Sequence, residues 1–500
     1  MNIQDAKIEI ENTLRAYHLR DEEGNYRIPV VHQRPILLMG PPGIGKTAIL
    51  EQIARETGAG LVAYTLTHHT RQSAVGLPHI ESRTYGGRSF SVTEYTMSEI
   101  VASVYDYMEK TGKQEGILFL DEVNCVSETL APTMLQLLQN KTFGTHRIPE
   151  GWILVAAGNP PEYNKSVREL DVATLDRVRT ITVEPDCPAW LGYAREKQVH
   201  GAILSYLTIH SDRFYRVEDR AQGRAFVTAR GWEDLSRLLG GYEALGVPVT
   251  EELIFQFLRH RETAGEFYAC YQLYEKYQRD YDIPGILAGA DWQDQKVMAE
   301  KAGFEERFLV IGLLLDGLQE RFHLWQKERQ RLLTLRQALH RLKRSWQEGP
   351  GAEADRMEKS LAVRREAGLV SSSEESLQKA AVRDLRDLDL MLKKGHIREP
   401  EPGIEIISQT FGAMAEAFRQ EVERLKEMLH RVFLFAEDCF GEGQELVLLV
   451  TELGRSPNAM EFIGENGSED FLDKGRVLQC RRQEKDLQAQ CRALLDRENQ

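Results

Sequence analysis

A chain of 500 residues is too long for one hydrophobic core, so two to four domains are expected. Acidic residues outnumber basic ones 77 to 63, and the net charge of −14 argues against a general nucleic-acid binder, because no overall basic field draws in a polyphosphate. The six cysteines form no C-x-x-C pair, the start lacks a cationic and apolar leader, and no apolar run is long enough to span a bilayer; a reducing, cytoplasmic setting without zinc site, disulfide frame or membrane span is expected.

In chain order, Ile3, Ile10, Leu14 and Tyr17 among charges predict a short amphipathic helix over 3–18. Arg27–Val31 precedes a phosphate-loop signature and is expected beside a nucleotide base. Pro35–Met39 reads as a buried strand. Gly40-Pro41-Pro42-Gly43-Ile44-Gly45-Lys46-Thr47 then fits G-x-x-x-x-G-K-[ST] at every fixed position, and a helix follows from Ala48. In this context the glycines let backbone N–H groups turn around phosphate oxygens, and the helix N-terminus adds partial positive charge. Lys46 is then expected on the β- and γ-phosphates of ATP, and the Thr47 hydroxyl on Mg²⁺.

Gly60–Leu66 reads as a second strand. Residues 67–97 break the pattern, with turn signals at Gly76-Leu77-Pro78 and Tyr85-Gly86-Gly87-Arg88. They form either a functional loop or a solvated surface hairpin. After a helix over 97–110, the apolar strand Gly116–Leu120 ends in Asp121-Glu122. At the phosphate edge of a parallel sheet, Asp121 reaches Mg²⁺ and Glu122 stands beside the attacking water as general base. A helix over 130–139 and a strand over 151–158 lead to Asn159, placed for the γ-phosphate or the water. Asp171–Arg179 is helix-like and carries Arg177 and Arg179, either of which could reach a neighbouring subunit's nucleotide, and Thr180–Val183 is a fifth strand.

Strands and helices alternate from Pro35 to Val183, which predicts an α/β fold: a parallel five-stranded sheet with helices on both faces. From Pro185 only helices are predicted, over 191–210, 228–239, 250–261 and 267–277. Thr228 is a plausible N-cap, and Arg230 in the first turn is unfavourable against the helix dipole unless an anion such as the γ-phosphate is near.

These motifs, in this order, resemble AAA+ ATPases. Asp121-Glu122-Val123-Asn124, Gly158-Asn159-Pro160 and the excursion with Val75-Gly76-Leu77-Pro78 resemble the MoxR-like branch with its helix-2 insert, close to CbbQ and NorQ type proteins. The resemblance covers roughly residues 1–285. It implies a nucleotide-binding domain over 1–185 and an all-α lid over 186–285. It also implies Walker A at Gly40–Ala48 including Lys46 and Thr47, Walker B at Asp121 and Glu122, sensor 1 at Asn159, an arginine finger at Arg177 and sensor 2 at Arg230. Where the family often has Asp-Arg-Phe, this chain has Asp176-Arg177-Val178, and Arg179 stands as a second finger candidate. The resemblance further implies a homo-oligomeric ring, often a hexamer, acting with a von Willebrand A-type partner on a client protein.

Residues 286–500 are expected to form a helical C-terminal extension. Phe304, Phe308, Ile311, Leu315, Leu318, Phe322 and Trp325, then Leu332, Leu335, Leu339, Leu342 and Trp346, make an apolar seam near a 3.5-residue period. The seam is expected to pack within the chain. Gly349-Pro350-Gly351 is read as a stop, with a break at Gly368-Leu369. Ser372 and Glu375 are read as a capping box opening a return helix, 396–404 as a linker, 406–439 and 445–454 as helices, and the charged end from Lys474 as a fraying terminus. Rival readings are an ATP-gated scaffold with slow turnover and a McrB-like nucleic-acid motor.

Overall fold

The computed structural model describes residues 1–66, 76–143, 146–163, 167, 170–220, 223–344, 346, 349–366, 370–397 and 399–476. Val75, Gly368-Leu369, Cys480, Cys491 and most of the charged end, on which some sequence expectations rest, lie outside them. The chain divides into two units. The first comprises Met1–Trp190, Asp212–Asp234 and Phe257–His260; the second comprises Leu191–Ser211, Leu235–Gln256 and Arg261–Gln500.

The first unit is an α/β layer structure. Its elements begin α1 (Ile3–Tyr17), β1 (Ile36–Met39), α2 (Lys46–Thr57), β2 (Gly60–Thr65), β3 (Pro78–Tyr85), β4 (Arg88–Tyr95), α3 (Glu99–Thr111) and β5 (Gly116–Asp121). They continue α4 (Ala131–Asn140), β6 (Thr142–Phe143), β7 (His146–Arg147), β8 (Trp152–Gly158), α5 (Val172–Leu175) and β9 (Arg179–Thr182). The main sheet runs β2–β5–β8–β1–β9, with every pairing parallel. Side chains alternate across it, as the strand period requires. Leu37, Leu118, Leu120, Leu154 and Ala156 pack under α3 and α4, and Ile36, Leu38, Ile117, Phe119, Ile153 and Val155 pack under α1 and α2. Burial on both faces explains why these strands read as continuous apolar runs.

The excursion after β2 contains a hairpin. Gly86 and Gly87, with φ of 59° and 81°, make the two-residue turn joining β3 to β4, a pair of positive φ values that suits the strand twist. Both strands are largely exposed. One face of this hairpin brings together His79, Glu81 and Glu94, but Arg83 already pairs with both carboxylates.

Between Pro185 and Thr228 two expectations need correcting. The helix expected over 191–210 is two helices, α6 (Cys187–Glu196) and α7 (Gly201–Ile209). Gln198 adopts φ 55° between them, and the His200 ring accepts the Ala202 N–H at 3.1 Å as a cap. Between Ser211 and Thr228, where no regular element was predicted, stands an antiparallel hairpin, β10 (Arg216–Arg220) and β11 (Gly223–Val227). Arg216-Val217-Glu218-Asp219-Arg220 carries four charges in five residues, which hides the alternating pattern. Helix α8 (Ala229–Leu245) follows.

The second unit continues with α9 (Glu251–Phe257), α10 (Arg261–Asp280), α11 (Ile283–Ala288), α12 (Gln293–Lys301), α13 (Phe304–Arg344) and α14 (Gly349–Glu366). It is completed by α15 (Ser372–Lys394), α16 (Pro400–Phe440), α17 (Gln444–Arg455) and α18 (Pro457–Asn466). Gly349-Pro350 opens α14 as well as following α13, and the stretch read as a linker supplies the first turn of α16. Proline is tolerated there because the N–H it lacks has no intrahelical partner anyway. The cap of α15 is Ser371, one residue before the expected Ser372; its hydroxyl accepts the Glu374 N–H at 3.2 Å. No helix among the described residues is long and apolar enough to cross a membrane.

The apolar seam of α13 packs inside this unit. Leu335 and Ala338 meet Ala354, Val382 and Leu385; Leu342 meets Leu388, Leu392 and Ile407. Further up, Phe462 lies 5.2 Å from the Phe322 ring and 5.0 Å from Trp325, edge-on to the latter. Phe462 is fully buried, so Phe462→Ala is expected to cost about 3–5 kcal/mol by cavity formation and lost transfer energy. Urea unfolding followed by tryptophan fluorescence checks this; an unchanged midpoint would show that the seam does not hold α18.

Candidate functional site

The site forms where the parallel strands end. Met39, the last residue of β1, is in register with Gly158, the last of β8, and the Gly40 N–H donates to the Gly158 carbonyl at 3.3 Å. The two following segments, Gly40–Gly45 and Asn159-Pro160, therefore leave the sheet side by side. The first turns sharply: Gly43 has φ 75°, and Gly45, the N-cap of α2, has φ 94°. Only glycine adopts these angles readily. A side chain at Gly43 would also stand 3.2 Å from Thr228 Cβ.

The carbonyls of this loop are held from several directions. The Lys46 ammonium donates to Gly40 O at 2.7 Å and to Pro41 O at 2.9 Å. The Tyr215 hydroxyl donates to Pro42 O at 2.9 Å, and the Arg230 backbone N–H to Gly43 O at 3.2 Å. Four consecutive carbonyls thus have donors, while the N–H groups opening α2 lack intrahelical acceptors, as at any helix start. That combination favours an anion at the loop. Ile44 and Pro41 are buried, Pro42 is exposed, and Ala48 is half-buried in the first turn of α2.

Lys46 is buried and also donates to Asn159 Oδ1 at 2.9 Å. Burial pushes its ammonium down to about 8; Asp121 and Glu122 pull the other way, and Arg230 adds to the depression. The Thr47 hydroxyl donates to Asp121 Oδ2 at 3.2 Å, and Asp121 Oδ1 accepts the Glu122 N–H at 2.9 Å. A hydroxyl beside a carboxylate at a phosphate loop is the oxygen donor set that suits Mg²⁺. The residues present therefore fit a magnesium nucleotide. Glu122 itself is half-buried and takes φ 58°, an uncommon angle for a residue with a side chain.

The two candidate finger arginines have different surroundings. The Arg179 guanidinium donates to Thr13 Oγ1 at 2.6 Å and pairs with Glu9, both on α1. Arg177 is exposed just after α5, and its hydrogen bond is to Ala173 O at 3.3 Å. Arg230 is exposed in the first turn of α8, where Thr228 Oγ1 accepts the Gly231 N–H at 3.2 Å as the expected cap. Val30–His32 forms a short 3₁₀ turn with Val31 exposed. The sequence reading did not single out Tyr215; a lone tyrosine in a charged stretch carries no local sign of its distant carbonyl partner. Nor does the sequence mark Asn124, whose hydrogen-bond partner Asn159 lies 35 residues further along the chain.

Residues 35–178 match the family of AAA domains described as the dynein-related subfamily. Lon protease 2 of Borreliella burgdorferi is 28% identical over 313 residues, which cover 56% of this chain and 36% of that protein. The ATPase family gene 2 protein homolog B of Mus musculus is 30% identical over 142 residues, 27% of this chain and 16% of that protein. The chain thus matches well under half the length of either relative. Together the likenesses support an AAA-type ATPase domain, the matched stretch running from β1 to just before β9.

Proposed function

We propose that this protein is a Mg²⁺-dependent AAA+ ATPase of the MoxR-like branch. In this reading it works as a homo-oligomeric ring and couples ATP hydrolysis to remodelling or activation of a client protein, together with a von Willebrand A-type partner. The observation that carries the hydrolytic core of this reading is one connected set of bonds. Lys46 joins the phosphate loop to Asn159, and Thr47 joins the same loop to Asp121. In this reading those bonds gather the phosphate-binding, metal-binding and water-positioning groups where the parallel strands end.

Lys46 binds the phosphates through its ammonium, exchanging loop carbonyls for anionic oxygens. Thr47 and Asp121 would hold Mg²⁺, which when bound would neutralise charge on the transferring phosphoryl group. The Glu122 carboxylate orients a water and accepts its proton as the oxygen attacks the terminal phosphorus, while the bond from that phosphorus to the β,γ-bridging oxygen breaks and ADP leaves. Asn159 fixes the water or the γ-phosphate. Arg230 acts on the nucleotide in its own chain, and Arg177 acts on that of a neighbouring subunit. The branch, ring, partner and client rest on the sequence motifs alone.

The test is phosphate release from MgATP by the purified chain, alone and in mixtures of Arg177→Ala and Lys46→Ala subunits. Each variant alone is expected to be inactive. Mixing is expected to restore part of the turnover, because one subunit supplies the finger and the other the intact phosphate loop. Variants that co-assemble without any rescue would show that Arg177 does not act across subunits.

A further inference from the structure

We propose that Asn124 is a positioning residue that holds Asn159 and the Glu122 turn in one frame. The inference rests on the hydrolytic reading above. The side chain of Asn124 is buried, 3% exposed, one residue beyond the Glu122-Val123 dipeptide. Its Nδ2 donates to the Asn159 carbonyl at 2.8 Å, and its Oδ1 accepts the Asn159 N–H at 3.3 Å. One amide side chain thus grips both backbone groups of the residue whose own Oδ1 accepts from Lys46. Neighbouring backbone bonds complete the splice: the Val123 N–H donates to Ala157 O and the Cys125 N–H to Glu122 O, both at 2.9 Å.

The space around this clamp is tailored to it. A Cβ at Gly158 would stand 2.8 Å from Asn124 Oδ1 and 3.0 Å from Met39 Sδ, so the glycine at the end of β8 admits the amide. The clamp also bears on the unusual φ of Glu122. A left-handed residue persists where surrounding bonds over-determine it, and here the two residues that follow Glu122 are both tied to the 157–159 segment. The side-chain bonds of Asn124 run to the backbone of Asn159. The residue acts by fixing the distance between the base and Asn159, and small displacements of such groups are costly to rate.

The first variant is Asn124→Ala in the full chain, assayed for MgATP turnover, for equilibrium binding of a fluorescent ATP analogue and for thermal midpoint. Turnover is expected to fall about 10²-fold while affinity stays within about threefold. Asn124→Asp retains the acceptor for the Asn159 N–H, loses the donor, and is expected to lose less, about 10-fold in turnover. The Asn124→Ala/Asn159→Ala double variant is expected to fall no further than Asn159→Ala, since one residue acts through the other. An active wild type with Asn124→Ala turnover within threefold overturns the role of Asn124 and leaves the ATPase reading standing. Turnover, affinity and thermal midpoint falling together in both Asn124 variants overturn it as well, as does a double variant with additive losses. A folded wild type without any turnover overturns both.

Discussion

Glu122→Gln is expected to lower steady-state ATP hydrolysis by about 10²–10⁴-fold, the usual contribution of a positioned general base. MgATP affinity is expected to stay within about threefold. The amide is isosteric with the carboxyl, and the backbone at 122 keeps its bond to Asp121 and its φ of 58°. Only the capacity to accept a proton is lost. Single-turnover phosphate release together with equilibrium nucleotide binding separates the two effects. Unchanged release would remove Glu122 as the base. A wild type that binds tightly but turns over as slowly as the variant would favour nucleotide-gated binding over catalysed work.

The second large effect is on pH dependence. In the free protein the Lys46 ammonium is pushed down to about 8, chiefly by burial. Bound phosphates favour the charged form and raise that value, so binding takes up a proton between the two. The sign follows: affinity is complete below about 8 and declines as pH rises through it. Between pH 7.5 and 9.5, affinity is expected to fall about 20-fold, from one protonation with a free-state value near 8. Lys46→Arg is expected to bind more weakly at neutral pH but with a nearly flat profile, because guanidinium stays protonated. Calorimetric titrations in two buffers of different ionisation heat report the proton uptake directly. A flat wild-type profile across this range would show that the Lys46 charge does not govern binding.

Much of this is legible in the sequence. The Gly40–Thr47 loop, the Asp121-Glu122 strand end and Asn159 sit in short local signatures, and each signature carries its own mechanism. All five strands of the main sheet were marked within a residue or two, most clearly the central β1, β5 and β8, because burial on both faces writes itself into adjacent positions. The long seam of α13 was likewise visible as a period, and its aromatic, irregular character pointed to packing within the chain.

What stayed hidden depended on partners distant in sequence. Arg177 and Arg179 are equivalent by composition, yet the fold of α1 against β9 gives one of them Glu9 and Thr13 and leaves the other exposed. Tyr215 reaches the phosphate loop across 173 residues, and the charged strand of β10 concealed its own periodicity. The amino-acid sequence by itself determined the α/β class, the phosphate loop, the paired acidic residues and the helical character of the C-terminal extension, since each rests on interactions between near neighbours. The tertiary structure alone decided the strand order β2–β5–β8–β1–β9, the clamp of Asn124 on Asn159, and which arginine is tied down. Those depend on which remote groups packing brings within hydrogen-bonding distance, and local patterning carries no record of that.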